Sequence, residues 1–238
     1  MYKLESIHWW FVARRKIIAH VISKLKLPNS AKLLDAGCGN GDNLNMLSAF
    51  GKVTAIEKDP DACERAKNKN SAGIFQGHLP DNIPSNIGSN FDLVVLLDVL
   101  EHIDEDKSSL GAIKNLMKQD AILIITVPAF QWLWSRHDEL HHHKRRYTTL
   151  EIKQLLQSND YQVKYISYFN TLLFPLAILE RIKQKVLPPT EETALTMPHP
   201  LLNNFLQKIF SLESHLIGRV CLPFGLSIIA IAEKRKNK

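Results

Sequence analysis

Asp35-Ala36-Gly37-Cys38-Gly39-Asn40-Gly41 is the segment that most constrains the fold of this chain. Three alternating glycines after the short apolar run Leu33-Leu34 permit a turn at positive φ, whose amides stay open to a ligand. Glu57 follows Gly37 by twenty residues, at the end of the next strand-like run, where a carboxylate can accept hydrogen bonds from two ribose hydroxyls. This spacing suits an adenosine cofactor. The dinucleotide pattern G-x-G-x-x-G is not met, so no third glycine is in register for a pyrophosphate. A glycine turn standing alone would read equally well as a plain tight loop; strand, turn, helix and acidic strand end together point to the cofactor.

The surrounding pattern predicts an α/β fold. Ile7, Trp10, Phe11, Ile17, Ile18, Val21, Ile22 and Leu25 recur mostly at three- and four-residue spacing, which predicts an amphipathic helix over 6–26, ended by Pro28. Strand-like and helix-like segments then alternate: Val53 to Glu57, a helix after Pro60, Gly73 to Gln76, Phe91 to Leu97, a helix from Asp104 to Met117 and Ala121 to Val127. The runs at 91–97 and 121–127 are almost wholly apolar, as in central strands covered on both faces. Thr148 and Glu151 read as a capping box, Tyr161 to Ser167 as the sixth strand and Leu226 to Ala232 as the last. About fifty residues separate those last two strands where a hairpin would suffice, so they are read as an insertion with a structure of its own. It holds an apolar segment at 168–179, a spacer with Pro188, Pro189, Pro198 and Pro200, and an amphipathic helix at 201–217.

The 238 residues, 45% of them hydrophobic, allow one elaborated domain. We divide it into an N-terminal helical cap at 1–28, a core at 31–168 and 224–234, and a helical insertion or lid at 169–223. Cys38, Cys63 and Cys221 are scattered, odd in number and without a CxxC pair, which argues against a disulfide framework or a zinc cluster and for the reducing cytoplasm. No run reaches the ~18 to 20 apolar residues of a membrane span. A formal charge of +6 would draw anionic partners without naming one.

The glycine loop resembles the D/E-x-G-x-G-x-G loop of class I S-adenosylmethionine-dependent methyltransferases, over roughly residues 31–168 and the final strand. The resemblance implies a Rossmann-like sheet of seven mostly parallel strands, the last antiparallel, with helices on both faces. It implies S-adenosyl-L-methionine as cofactor and S-adenosyl-L-homocysteine as product. Asp35, Gly37, Cys38, Gly39 and Asn40 would surround the methionine part and Glu57 the ribose, with Lys58 beside the adenine. His78 stands where the family commonly carries an acidic adenine contact, and Leu79 adjoins it. Asp98-Val99-Leu100-Glu101-His102 resembles the D-V-L-E-H stretch of the quinone-biosynthesis-like, small-molecule branch and would place Asp98 and Val99 beside the sulfonium. The N/D-P-P-Y/F motif of many base methyltransferases is missing, which lowers the case for nucleic acid.

Methyl transfer from a sulfonium is an in-line displacement that needs alignment, exclusion of water and, for a protic acceptor, removal of one proton. A histidine ordinarily titrates near neutrality, and His102 lies just past the cofactor strand; His143 and Tyr147 join it as candidate catalytic residues. Trp132 to Tyr147 follows the fifth strand, where open α/β sheets carry ligand loops. Its His143-Lys144-Arg145-Arg146-Tyr147-Thr148 looks like an H-x-R-R-Y-T element of this branch. Arg145 and Arg146 can clamp an anionic group, or form a solvated basic loop. Trp10 and Arg14 are further acceptor-binding candidates, the aromatics shielding the sulfonium or packing the helix on the core. His137, Asp138, His141, His142 and His143 invite a metal reading, yet consecutive histidines cannot all face one ion and the reaction needs none, so no metal is assigned.

The expected activity is methylation of a small-molecule or peptide acceptor, at oxygen, with an anionic or amphiphilic acceptor favoured by the loop and the insertion. RNA or protein methylation and a non-catalytic cofactor-binding partner subunit are the alternatives. Residues 168–185 read as a peripheral membrane helix at the inner face, as a dimer interface or as a lid core.

Overall fold

The structure, a computed structural model, describes residues 4–186 and 197–235, with the backbone alone for 183–186. Pro188 and Pro189 of the expected spacer, and the side chains of Lys183 and Lys185, lie outside it. Seven strands form one sheet in the order β3-β2-β1-β4-β5-β7-β6. They are β1 (Lys32–Ala36), β2 (Lys52–Glu57), β3 (Gly73–Gln76), β4 (Phe91–Leu97), β5 (Met117–Pro128), β6 (Tyr161–Phe169) and β7 (Ser227–Lys234). The first five run parallel and β7 inserts antiparallel between β5 and β6. The order reverses between β1 and β4, so their carboxyl ends open a crevice, the usual ligand site of such sheets.

Strand alternation gives the sheet two cores. On one face Leu33, Val53, Leu93, Val95, Ile229 and Ile231 pack under Ile17, Ile18, Val21 and Ile22 of α1 (Trp9–Ser23) and Phe210 of α8 (Pro200–Leu212). On the other, Leu34, Val94, Leu96, Leu123, Ile228 and Ala230 meet Leu110 and Ile113 of α4 (Asp106–Leu116) and Ile152 and Leu156 of α6 (Thr149–Ser158). Each such aliphatic side chain contributes about 1.5–3 kcal/mol when fully buried. The remaining helices are α2 (Leu44–Ser48), α3 (Pro60–Lys69), α5 (Arg136–Leu140) and α7 (Phe174–Val186).

Local chemistry sets the ends. Pro60 starts α3 behind an Asp59 cap, and Thr148 and Glu151 form the expected capping box on α6. α1 is shorter than the expected 6–26 because the His8 ring accepts the Trp10 amide and stops the helix there, while Lys24 and Leu25 turn back onto Val21 and Ile22. α8 stops before the expected 217 because Glu213 turns under: buried, it accepts the amides of Asn170 and Leu172 and fixes the exit of β6. Asn203 ties α8 to the N-terminal segment, accepting from the Trp9 amide at 2.8 Å and donating to the Ile7 carbonyl at 3.1 Å.

Candidate active site

The glycine turn is held by backbone. Gly37 sits at φ +104°, and its amide and that of Cys38 donate to the Ile56 carbonyl at 2.8 and 3.1 Å, lashing the turn to the end of β2. A Cβ on Gly37 would lie 2.6 Å from Val99 Cγ2, so the residue answers both the positive φ and the close approach of the turn after β4. Glu57 ends β2 with both carboxylate oxygens on backbone, Oε2 accepting from Gly39 at 2.7 Å and Oε1 from Asp59 at 2.9 Å. It lies beside the turn. Behind the turn Asp35 is fully buried and neither of its carboxylate oxygens has a hydrogen-bond partner. Burial pushes it up to about 7, Arg14 pulling the other way. An open glycine turn, a strand-end carboxylate and an orphaned buried acid fit the amide contacts, ribose diol and ammonium group of S-adenosylmethionine. Burial also raises the Cys38 thiol, keeping it protonated.

The Asn40 side chain is committed elsewhere, donating to Glu5 at 2.8 Å and accepting from Arg65 at 2.7 Å, which docks the N-terminal segment on the turn. Burial, then a hydrogen bond shared with Asp42, pushes Glu5 up to about 7. Lys58 is exposed beyond β2. After β3, His78 exchanges backbone hydrogen bonds with Asn82, and Leu79 is buried.

Asp98 takes φ +57° at the end of β4. Its Oδ1 accepts from the Thr126 hydroxyl at 2.9 Å, and its Oδ2 pairs with Arg14 at 2.8 Å. Arg14 is 4% exposed, reaches Thr126 as well, and lies 5.2 Å over the Trp10 ring. A side chain of α1 thus braces the cofactor strand.

A cavity of about 830 Å³ runs from Gly37, Cys38, Gly39 and Asp98 beneath Trp10, Phe11 and Arg14 to an apolar wall of Leu173, Leu176, Ala177 and Leu206. That size holds a small-molecule ligand. Glu101, His102, His137, His141, His143 and Arg146 line it too. The His102 and His143 rings meet edge to face at 4.7 Å, and those of His137 and His141 lie 4.2 Å apart. Partial desolvation first, then a neighbouring imidazole, lowers His137 to about 4 and pulls His102, whose side chain is exposed, in the same direction. A neutral imidazole of that basicity is a weak proton acceptor.

Asp138 organises this wall. Fully buried, it completes a capping box with Ser135, accepts two hydrogen bonds from Arg146 at 2.8 and 2.9 Å and meets His143 Nδ1 at 2.9 Å. Burial works to raise its carboxyl, but His143 and Arg146 outweigh this and hold it well below the ordinary carboxylate range. Arg146 therefore reaches the cavity already engaged with Asp138 and the Ala129 carbonyl. Arg145 lies outside the cavity walls, paired with Asp106 at 3.1 Å. Tyr147 also turns away, its buried hydroxyl donating toward Asp106 at 3.0 Å and Leu100 at 3.3 Å, and burial pushes its pKa up.

Of the residues singled out in sequence, the structure brings Gly37, Cys38, Gly39, Asp98, Trp10, Arg14, His102, His143 and Arg146 to one cavity. Asp35, Asn40, Glu57, Lys58, His78, Leu79, Val99, Arg145 and Tyr147 are not among its walls. Sequence reasoning passed over Glu101, fully buried with both carboxylate oxygens unpartnered. Burial, then Asp98, raises it well above the ordinary value. An acidic residue between Leu100 and His102 was the available signal. Asn170 and Leu206, brought in by tertiary packing, gave none.

A 3-2-1-4-5-7-6 sheet with this glycine turn and strand-end carboxylate defines a class I S-adenosylmethionine-dependent methyltransferase. Residues 11–166 match the methyltransferase domain family, and the chain belongs to it. It is similar to the mitochondrial ubiquinone biosynthesis O-methyltransferase of Schizosaccharomyces pombe, 28% identical over 126 residues that cover 50% of this chain and 46% of that protein. It is also similar to the ubiquinone biosynthesis O-methyltransferase of Xanthomonas axonopodis pv. citri, 23% identical over 50% of this chain and 55% of that one. The chain therefore spans about half the length of these curated relatives. In fold it matches the YcgJ protein of Bacillus subtilis with a TM-score of 0.61 at 15% identity, covering 94% of this chain and all of that one. Among the described residues no helix is long and apolar enough to cross a membrane.

Proposed function

We propose that this chain transfers a methyl group from S-adenosylmethionine to an oxygen of a small acceptor that has an apolar body and is anionic or amphiphilic. One observation carries the reading: a single cavity joins the glycine turn and Asp98 to a cluster of imidazoles and an apolar wall from the insertion. When bound, the cofactor supplies an electrophilic methyl group on sulfur. Asp35, Gly37, Cys38, Gly39 and Asn40 would hold its methionine part, Glu57 its ribose, Lys58, His78 and Leu79 its adenine, and Asp98 and Val99 the sulfonium end. Trp10 and Arg14 close the cavity from above and exclude water, and His102 and His143 orient the acceptor hydroxyl. Leu176 both lines the cavity and is 56% exposed, so α7 forms part of the rim. With Leu179 and Ile182 exposed further along the same helix, this favours an amphiphilic acceptor and contact of 168–185 with a lipid surface. The O-methyltransferase names of the relatives support oxygen as the accepting atom.

The test is transfer of labelled methyl from the cofactor to four panels: hydroxylated phenols and lipids, small acids, peptides, and RNA. We expect label in hydroxylated acceptors, as a methyl ether. Label found in RNA instead, with affinity falling steeply as salt rises, would move the chain to the nucleic-acid reading. Cofactor binding with no transfer to any panel would favour a partner subunit.

A further inference from the structure

Asn170 stands where β6 gives way to the insertion, and its side chain forms part of the cavity wall. It is 0% exposed, yet neither Oδ1 nor Nδ2 has a hydrogen-bond partner among the described residues. A buried amide left unpaired lowers stability, and native proteins hold few of them. The backbone takes φ +59°, a left-handed conformation that asparagine tolerates better than most residues. That accounts for the backbone and not for the side chain, since glycine would serve the same turn.

The surroundings hold the amide in place. Buried Glu213 accepts the Asn170 N–H at 2.6 Å and that of Leu172 at 2.8 Å, which pins the chain on either side. A Cβ on Gly225 would collide with the Phe169 carbonyl oxygen, so the segment leading into β7 packs directly on the residue before Asn170. Register sets Ser227 between Phe169 of β6 and Pro128 of β5, and Pro128 and Ser227 line the cavity together with Asn170. From Asp98 at the end of β4 to Asn170 past the end of β6 is three strand spacings, about 14 Å across the sheet. Asn170 therefore lies at the end of the cavity away from the glycine turn, on the side that Leu173 and Leu206 share.

We propose that Asn170 is a specificity-determining residue whose carboxamide binds a second polar group of the acceptor, remote from the methylated atom: a neutral hydroxyl or carboxamide. This rests on the reading that the cavity holds the acceptor. A carbonyl oxygen and an NH2 side by side complement a group that both gives and takes a hydrogen bond. A carboxylate end would satisfy Nδ2 and leave Oδ1 bare, and an alkyl end would leave both bare. Because the amide has no accessible surface, the group reaches it by displacing aliphatic rotamers of Leu173 and Leu206, with the backbone pinned by Glu213 left in place. Selection then works by exclusion, since a site built to hydrogen-bond a ligand rejects an analogue that leaves its buried polar atoms unpaired.

The probes are phenols whose para alkyl chain, lengthened one carbon at a time, ends in a hydroxyl, each beside methyl-ended and carboxylate-ended analogues of equal length. Binding to the full-length protein is measured by calorimetry in the presence of S-adenosylhomocysteine. At one chain length we expect the hydroxyl-ended probe to bind about tenfold tighter than either analogue, and the preference to fade at shorter and longer chains. Asn170→Gly, which keeps the positive φ, should abolish the preference and leave S-adenosylmethionine affinity unchanged. A residue kept for its backbone alone would leave the preference intact in Asn170→Gly, and that result would overturn the proposal. So would wild-type protein that binds none of the probes, binds the three ends equally or favours the methyl or carboxylate end. Should Asn170→Gly fail to fold, the wild-type preference and its dependence on chain length decide alone. Binding is read without methyl transfer, so failure here is separable from failure of the oxygen-acceptor reading.

Discussion

The two ends of the cavity are built by different means. At the cofactor end the contacts are local and largely backbone: a glycine turn at positive φ, two amides on the Ile56 carbonyl, and a carboxylate at the tip of the next strand. At the acceptor end nearly everything is side chain, gathered from α1, the turn after β4, the loop through α5 and the insertion. A backbone-built site tolerates little variation in sequence and therefore leaves a motif. A side-chain-built site depends on long-range packing and leaves only residue types that suggest chemistry.

Variants that strike one end and spare the other can break this contrast. The largest effect should come from Gly37→Ala. Its Cβ would meet Val99 and its φ would be strained, so we expect cofactor affinity to fall by about 100-fold, a loss of ~2.7 kcal/mol, in calorimetry. An affinity within a few-fold of wild type would show that the turn is not the cofactor cradle. Next, Arg146→Met strips buried Asp138 of its guanidinium partner and leaves it only His143 and Ser135, and breaking such a buried pair costs about 3–5 kcal/mol. Thermal unfolding should fall sharply and acceptor turnover with it, while cofactor affinity of the protein still folded stays put. Loss of cofactor affinity instead would mean that the two ends are one unit. Glu57→Ala should weaken the cofactor ~10-fold or more through the ribose, with acceptor KM unchanged.

Smaller effects sharpen the boundary. Glu5 carries a folded pKa raised to about 7 from an ordinary 4.5. A raised acid costs nothing while protonated in both states, and its penalty grows as pH climbs from about 4.5 through 7. Docking of the N-terminal segment on Asn40 should therefore tighten as pH falls from 8 to 5, read as amide-exchange protection in α1. Glu5→Gln should flatten that difference, and an equal pH response in the variant would sink the assignment. The smallest effect is expected at Arg145→Ala: the side chain is outside the cavity walls in a partly exposed pair with Asp106, so acceptor KM should stay within about twofold. A clear rise would return Arg145 to the acceptor site.

Legibility in sequence follows the same division. β4 begins and ends where its apolar run predicts, because a strand covered on both faces must be apolar throughout. The Thr148 capping box was equally plain, whereas the antiparallel course of the last strand was implied by the family resemblance. Helix ends were less so, since the His8 cap on α1 and the inward turn of Glu213 after α8 depend on partners far away in the chain or on an unusual capping residue. Gly37 turns at positive φ after β1 and Glu57 ends β2, both where spacing alone puts them. The Arg14 pair with Asp98 could not be placed so, because it joins the N-terminal helix to the end of β4. Nor could the division of the histidine run, where His143 turns inward on Asp138 while His142 faces out, for a loop has no period from which to read direction.

Calorimetric titration of the purified chain with S-adenosylmethionine, alongside Gly37→Ala and Glu57→Ala, tests the central claim most directly. One site per chain in the wild type, weakened in both variants, is the predicted result. No heat of binding in well-folded wild-type protein, or equal affinity in all three, would contradict it.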